Sequence, residues 1–170
     1  MTGIPAKSAS TGPLFTAWDR LKGFPGGTWL FSRYLGWKVP YTGSIGAHVR
    51  ELGPGYARVT LRDRRGVRQH LDSVHAVALV NLGEVTSGLA MLAALTPDVR
   101  GIVTRLSAEF LKKGRGLLTA QSHVAVPSVC EPVEHLITAE ITDAVGDVVC
   151  RVTAVWKLDV TRRTSLSGSR

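Results

Sequence analysis

Cysteine is scarce in this chain, which carries only two cysteines among its 170 residues. Cys130 and Cys150 form no Cys-x-x-Cys pair, and no histidine stands at metal-ligand spacing from either of them. A small extracellular domain stapled by disulfides needs more cysteines than this. Both cysteines lie in alternating apolar stretches, so we predict two buried thiols in a reducing compartment and no metal site.

Long uncharged apolar runs are also missing. No run of about 18 residues is both free of charge and strongly apolar, which is what a membrane-spanning helix requires. The first 15 residues, MTGIPAKSASTGPLF, contain no apolar stretch typical of a signal peptide. We therefore expect a soluble, cytoplasmic protein with no transmembrane segment.

Acidic residues are in the minority, with 13 Asp and Glu against 21 Lys and Arg, a formal charge of +8 and a pI of about 10.1. Such a balance favours anionic partners, among them nucleic acids, acidic membrane surfaces and phosphate-bearing small molecules. Nucleic acid is the least favoured of these. The aromatic residues cluster near the N-terminus instead of interleaving with the basic strands, and no nucleic-acid-binding motif is present.

The order of local patterns predicts a single main domain preceded by a helical segment. Residues 1–13 and 161–170 are polar and expected to be flexible, and residues 14–44 are rich in aromatics at helical spacing. Residues 45–160 show two alternating strands, one long apolar helix and four further alternating strands. An α+β architecture, in which a curved antiparallel sheet wraps around one central helix, fits this order.

The long apolar helix, HAVALVNLGEVTSGLAMLAAL at 75–95, opens on His75 and carries an amide, Asn81, and a carboxylate, Glu84, in its middle. His75 and Glu84 are nine residues apart, or about 900° around the helix axis and roughly 13 Å along it. They therefore point to opposite sides and cannot form one site within one chain. Asn81, Glu84 and Gly88 lie on a common face because they are separated by steps of three and four.

The start of this helix offers a complementary group. The backbone N–H groups of Ala76 and Val77 lack intrahelical acceptors and lie at the positive end of the helix dipole, where they suit a carbonyl oxygen. If two copies pack with two-fold symmetry, the helix start of one meets the Glu84 carboxylate of the other. Simpler roles remain open: Glu84 pairing with an arginine or with solvent, Asn81 as a core amide, and His75 as a helix cap.

These residues resemble the pattern of hotdog-fold acyl-CoA thioesterases, most closely the phenylacetate-pathway type and its uncharacterised relatives. That pattern reads Asn, five residues, His-Gly-Gly, and then Asp or Glu nine residues after the His. Gln69, His75-Ala76-Val77 and Glu84 occupy these positions here, so Gln replaces the Asn and Ala-Val replaces the Gly-Gly. The resemblance covers residues 45–158, including the strand order and the FLKKGRGLLTAQSHV segment.

The resemblance implies a homodimer, with a tetramer as an alternative, that hydrolyses a coenzyme A thioester at two interfacial sites and needs no other cofactor. Glu84 would be the general base or the nucleophile, the Ala76 and Val77 amides would hold the thioester oxygen, and His75 would orient the loop. Asn81 and Gln69 would complete the site. Coenzyme A phosphates would be met by the basic turn, which comprises Lys112, Lys113, Gly114 and Arg115.

Two alternatives stay open beside hydrolysis. The Ala76-Val77 replacement favours a non-catalytic acyl-CoA-binding module, whereas a hydratase is disfavoured because it would need a shorter His-to-acid spacing. The aromatic segment at 14–44 is expected to pack over the sheet edge or to line the acyl pocket, and a role at a membrane surface remains an alternative for it.

Overall fold

The structure is a computed structural model that describes residues 13–125 and 129–161, so the predictions for the two termini lie largely outside the described residues. The helices are α1 (Pro13–Leu21), α2 (Gly27–Lys38), α3 (Pro40–Ser44) and α4 (Ala76–Ala94), with a 3-10 helix at Arg65–Val67. The strands are β1 (His48–Gly53), β2 (Tyr56–Arg62), β3 (Val99–Phe110), β4 (Leu117–His123), β5 (Val133–Thr142) and β6 (Val148–Val160).

The strands form one antiparallel sheet in the order β1-β2-β4-β5-β6-β3, and α4 packs into its concave side. The predicted α+β architecture, a curved sheet around one central helix, is confirmed. α4 is buried on most sides because the sheet surrounds it, which explains its nearly uniform apolar sequence. Leu82, Ala90 and Met91 are fully buried.

The sheet and the long helix follow the sequence pattern closely. β1 and β2 pair antiparallel across a turn at Gly55, whose φ of +70° is accessible to glycine at little cost. The tight hairpin predicted at Ala144–Asp147 joins β5 to β6, with Gly146 at φ +91°. These turns are local, so their signals survive without tertiary information.

The N-terminal helices differ from the sequence interpretation in two ways. α2 runs on through Gly36 to Lys38, and a third helix, α3, starts directly afterwards with Pro40 in its first turn. Proline is well suited to that position because its missing N–H would have no helical acceptor. α2 and α3 approach so closely that a Cβ on Gly43 would lie 2.5 Å from the Gly36 carbonyl oxygen.

The prediction of two buried thiols is wrong for one of them. Cys150 is buried on β6, and burial together with the charge of Glu109 raises its pKa to about 11. Cys130 is exposed in the connection before β5. Cys130 precedes the first residue of β5, Val133, so the apolar alternation around it in the sequence did not indicate a strand position.

α4 also qualifies the expectation about apolar runs. Among the described residues, α4 is the one helix whose length and composition would allow it to cross a membrane, and its mean hydropathy is 1.5. About 72% of that stretch is buried inside the fold, as befits the core helix of a sheet-wrapped domain.

Candidate active site

The N-terminus of α4 is closed by a side chain that the sequence placed there. His75 is the N-cap, in extended conformation, and its Nδ1 accepts a hydrogen bond from the Val77 N–H at 3.1 Å. The His75 N–H donates in turn to the Val67 carbonyl at 2.8 Å, which fixes the chain entering the helix. Ala76 and Val77 were predicted to offer two free N–H donors, but the Val77 N–H is already bonded to the His75 imidazole.

A pocket of about 330 Å³ opens beside this helix start. It brings together residues from the connection before α4, the first turns of α4 and the basic turn after β3; the lining is Gln69, Ser73, Val74, Ala76, Leu79, Phe110, Leu111, Lys112, Lys113 and Gly114. Five of the predicted site residues thus share one pocket, while His75, Val77, Asn81, Glu84 and Arg115 do not line it. We refer to it as the helix-start pocket.

Gln69 is held in place by two hydrogen bonds to Ser73. Its side-chain Nε2 donates to the Ser73 hydroxyl at 2.8 Å, and its backbone N–H donates to the Ser73 carbonyl at 2.9 Å. The next residue, Val74, donates its N–H to the Gly114 carbonyl at 2.8 Å. The connection before α4 and the basic turn are therefore one hydrogen-bonded unit.

The cations of the basic turn are not equivalent. Lys112 Nζ donates to Asp143 Oδ2 at 2.6 Å and to Asp147 Oδ2 at 2.5 Å, and these bonds raise the pKa of Lys112. Arg115 Nε donates to the Asp72 carbonyl at 2.9 Å. Lys113 makes no ion pair within the described residues. Of the four residues predicted to meet a phosphate, Lys113 is the most available and Lys112 is committed elsewhere.

Gly114 and Asp63 explain why the basic turn has a defined shape. A Cβ on Gly114 would lie 3.0 Å from Leu118 Cδ1 and 3.2 Å from Val149 Cγ1, so the turn is pressed onto the core. Asp63 accepts from Arg68 Nε at 2.6 Å, which lowers the Asp63 pKa, and it also accepts from the Gly116 N–H at 3.3 Å. Arg68 is thereby used to fix the turn.

Glu84 lies half-buried in the middle of α4, and burial raises the pKa of its carboxyl group. No hydrogen bond or ion pair reaches this carboxylate from the residues that the structure describes. Its Oε1 stands 4.0 Å from the point where a Gly88 Cβ would sit, and Trp156 Cζ2 stands 3.6 Å from the same point. The absence of a side chain at Gly88 leaves space next to the carboxylate. The Trp156 indole lies beside this space, and its buried Nε1 has no acceptor in the part of the chain that the structure describes.

Asn81, one turn before Glu84, is almost fully buried. Its Nδ2 donates to the Tyr41 carbonyl of α3 at 3.2 Å, while its Oδ1 has no hydrogen-bond partner among residues 13–125 and 129–161. A buried amide oxygen left without a donor costs free energy, so this atom is available to a ligand group or a water. Asn81 is thus a core amide through its Nδ2, and its Oδ1 is the atom that a ligand could use.

The two predicted halves of the site stay apart within one chain. The helix start and the basic turn form one half, and Glu84 with Asn81 forms the other, half a helical rotation away. This agrees with the geometric argument from the nine-residue spacing. Within the described ranges, 13–125 and 129–161, no group of three or more His, Cys, Asp or Glu is placed to hold a metal ion.

A second cavity, of about 450 Å³, lies between α2, α3 and β1, against Val85 of α4. The sequence interpretation allowed the aromatic segment to line a pocket, and Trp29 and Trp37 do so here. Its two ionisable lining residues, Arg33 and His48, were not predicted as site residues. The aromatic spacing of α2 is the one sequence signal near these two residues. No local sequence pattern indicates that α2 and β1 leave a cavity between them.

Comparison with solved structures finds proteins that share this fold, among them proteins described as thioesterases. The Pseudomonas aeruginosa protein PA5026, described as a probable thioesterase, is 21% identical, with 81% of this chain and 97% of that chain covered and a TM-score of 0.67. The thioesterase HI1161 of Haemophilus influenzae is 14% identical over 74% of this chain and 86% of that chain, with a TM-score of 0.63. The resemblance to the hotdog fold is confirmed.

A family model described as a domain of unknown function, DUF4442, matches residues 27–158, and the chain belongs to that family. The match includes α2 and α3, which precede the predicted domain start at residue 45. A structural-genomics target, APC5556, is 25% identical over 86% of this chain and 97% of that chain, with a TM-score of 0.75. No curated protein matches the chain.

Proposed function

We propose that this protein is a cytoplasmic acyl-CoA thioesterase whose two sites are assembled at a homodimer interface. The observation that carries the proposal is the Glu84 carboxylate: half-buried, unpaired within the described residues, raised in pKa and set beside the space at Gly88. A carboxylate whose pKa is raised by burial is a stronger base than an ordinary one, which suits it to proton transfer. The solved thioesterases with this fold support the reaction class.

Glu84 acts on a water molecule or directly on the thioester. As a base, it takes a proton from water while the water oxygen bonds to the thioester carbonyl carbon, and the tetrahedral intermediate then expels the coenzyme A thiolate, which takes up the proton. As a nucleophile, its carboxylate oxygen bonds to the carbonyl carbon while the C–S bond breaks and the coenzyme A thiolate leaves. Water then hydrolyses the mixed anhydride, which returns the Glu84 carboxylate and releases the carboxylic acid, and the thiolate takes up the proton from that water. Both routes place negative charge on the carbonyl oxygen, and the Ala76 amide of the partner's α4 is the proposed donor to it.

The dimer is proposed from the exposed edge of the sheet. β3 is a 12-residue edge strand, and its side chains include Ile102, Leu106 and Phe110, which are 66%, 43% and 51% exposed. A long apolar edge strand invites pairing with another strand. Pairing β3 with β3 of a second copy covers these side chains and brings the helix-start pocket, which includes Phe110, next to the second chain.

Coenzyme A is proposed to lie with its phosphates on the basic turn. Lys113 is free of carboxylate partners among the described residues, and the Arg115 guanidinium keeps its terminal N–H groups beyond the one bond to Asp72. Lysine and arginine are suited to phosphate by charge and by their multiple donors. The formal charge of +8 on the whole chain adds a favourable field for an anionic substrate.

One observation favours the second candidate function, an acyl-CoA-binding module without turnover. The Val77 N–H is bonded to the His75 ring, so one of the two predicted oxyanion donors, Ala76 and Val77, is already engaged. Removing one oxyanion donor typically lowers kcat by about 10²- to 10³-fold. Binding does not depend on that donor to the same degree, so affinity for acyl-CoA survives where hydrolysis is slow.

Free-thiol release from short, long and aromatic acyl-CoAs tests the proposal, with wild type beside Glu84→Gln. We expect kcat to fall by about 10²-fold or more in the variant, which is the usual size of general-base catalysis. Glu134→Gln, which changes an exposed carboxylate on β5, is the matched control and keeps full activity. Acyl-CoA binding without thiol release from wild-type protein would establish the binding module instead.

A further inference from the structure

The cavity between α2, α3 and β1 is separate from the helix-start pocket, because the two share no lining residue. Its volume of about 450 Å³ is within the range of small-molecule sites. We call it the α2–α3 cavity. One end is closed by the close approach of Gly36 and Gly43, where no side chain larger than hydrogen fits at position 43.

The inner wall of the α2–α3 cavity is apolar. Leu35, Val49, Val59 and Val85 line it, and all four are buried, with at most 8% of their surface exposed. Four aliphatic side chains, one each from α2, β1, β2 and α4, form a surface that favours the hydrocarbon part of a ligand. The inner wall alone does not distinguish among apolar ligands.

The polar groups on the wall are already satisfied by one another. His48 Nε2 and Thr28 Oγ1 are 3.1 Å apart, and the Ser32 hydroxyl donates to the Thr28 carbonyl while it accepts from the Val49 N–H. Burial, followed by the nearby charge of Arg50, lowers the pKa of His48, so this ring is neutral at pH 7. The interior therefore presents no charge that would reject a hydrocarbon chain.

The rim carries the charge. Trp29, Arg33 and Trp37 lie one turn apart along α2, and the two indoles are 56% and 72% exposed. The Arg33 guanidinium carbon lies 5.6 Å from the centroid of the Trp29 ring, and no carboxylate of the described residues pairs with it. No Asp or Glu occurs between Asp19 and Glu51. A free guanidinium held on an indole at the mouth of an apolar cavity is a receptor for a carboxylate.

We propose that the α2–α3 cavity is a second ligand site, distinct from the thioester site, which binds an apolar carboxylic acid with its carboxylate on Arg33 and its chain against Val49, Val59 and Val85. The site does not depend on the thioesterase proposal, since none of these residues belongs to that site. Recognition combines burial of the chain with a charge-assisted hydrogen bond at the rim.

Isothermal titration calorimetry with monomeric decanoate tests the site on the full-length protein. We expect at least tenfold weaker binding in Arg33→Gln and in Ala47→Phe, where Ala47 lines the cavity and the larger side chain fills it. Decanol, which lacks the charge, binds wild type at least tenfold more weakly than decanoate. Arg20→Gln removes an equal charge from α1, outside the cavity, and binds decanoate like wild type. Thermal melts establish that each variant is folded.

Several results would overturn the site. Equal affinity in wild type, Arg33→Gln and Ala47→Phe means that decanoate binds elsewhere, and loss in Ala47→Phe alone means that the carboxylate is not recognised. Competition between decanoate and coenzyme A esters places both in the thioester site. Sedimentation with anionic phosphatidylglycerol vesicles, in the absence of affinity for monomeric decanoate, makes the aromatic rim a membrane contact instead.

Discussion

At the scale of single residues, Glu84 differs from most carboxylates of the chain in being half-buried without a partner among the described residues. Asp63 and Asp143 are held ionised by Arg68 and Lys112, which lower the pKa of each carboxyl group. Burial alone acts on Glu84, and it raises the pKa. The pKa is thus lowered for the two carboxylates that form structural ion pairs and raised for the carboxylate that is proposed to be catalytic.

The raised pKa of Glu84 has a consequence for stability against pH. Because the folded-state pKa lies above the ordinary value of 4.5, the stability present at lower pH is lost as pH rises through the folded pKa. We expect Glu84→Gln to melt at a higher temperature than wild type at pH 7 to 8. That advantage shrinks as pH falls towards 4.5, and calorimetric melts across this range measure it. The rising limb of kcat/KM against pH lies above 4.5 for the same reason.

A constant difference in melting temperature at every pH would contradict this account, since it would trace the effect of the substitution to packing. Glu134→Gln is the control here too, because it alters a carboxylate on the exposed face of β5.

The two neighbouring lysines of the basic turn are predicted to behave differently. Lys113→Gln raises KM for acyl-CoA by up to about fivefold, corresponding to ~1 kcal/mol for an exposed ionic contact, and leaves kcat unchanged. Lys112→Gln leaves KM near wild type because Lys112 is paired with Asp143 and Asp147. Steady-state kinetics at two salt concentrations separate the cases, and the Lys113 effect diminishes at the higher salt. Equal effects from both lysines would show that the ion pairs open when substrate binds.

At the scale of elements, two glycines of α4, Gly83 and Gly88, have different surroundings and therefore different roles. A Cβ on Gly83 would overlap the Val152 side chain of β6, whereas a Cβ on Gly88 would meet its nearest atom at 3.6 Å, an ordinary contact. The first glycine is therefore required for helix-to-sheet packing. The second leaves open the space next to Glu84 without being required for the fold.

Substitution by alanine separates these roles in denaturant unfolding. Gly83→Ala is expected to destabilise by about 1–2 kcal/mol, the cost of overpacking less the gain in helix propensity. Gly88→Ala is expected to stabilise by about 0.5–1 kcal/mol, because helix propensity acts there without a clash. The second change Val152→Ala, made in the Gly83→Ala background, recovers part of the loss. Equal stabilisation by both alanines would show that the sheet yields freely at Val152.

At the scale of the whole molecule, the proposal requires the exposed edge strand β3 to pair with a second copy before the site is complete. Ile102→Lys places a charge on this edge and is expected to convert a dimer into a monomer while reducing thiol release to background. Leu136→Lys, at a 61% exposed residue on the interior strand β5, is the matched control and keeps the dimer. Sedimentation velocity at micromolar concentration measures both. A wild-type monomer that releases thiol at full rate would refute the interfacial site.

Much of the fold was predictable because its signals are local. Alternation with period two identifies all six strands, and α4 with its His75 start is visible as a long apolar stretch. The nine-residue spacing to Glu84 already excluded a one-chain site, by helix geometry alone. α3 was missed because its five residues, Pro40–Ser44, are too few for a periodic pattern. The exposure of Cys130 was missed because a segment with alternating apolar residues need not belong to a sheet.

The sequence by itself therefore determined the element order, the sheet-wrapped helix and the position of one carboxylate within it, since each depends on residues near one another in the chain. Only the tertiary structure decided which polar groups are free. Lys112 is committed by aspartates 31 and 35 residues away, the Val77 amide is taken up by the His75 rotamer, and a cavity is left where α2 and α3 pack over β1. Hydrogen bonding and packing between distant segments have no periodicity to read, so the availability of a group for chemistry emerges only when the chain is folded.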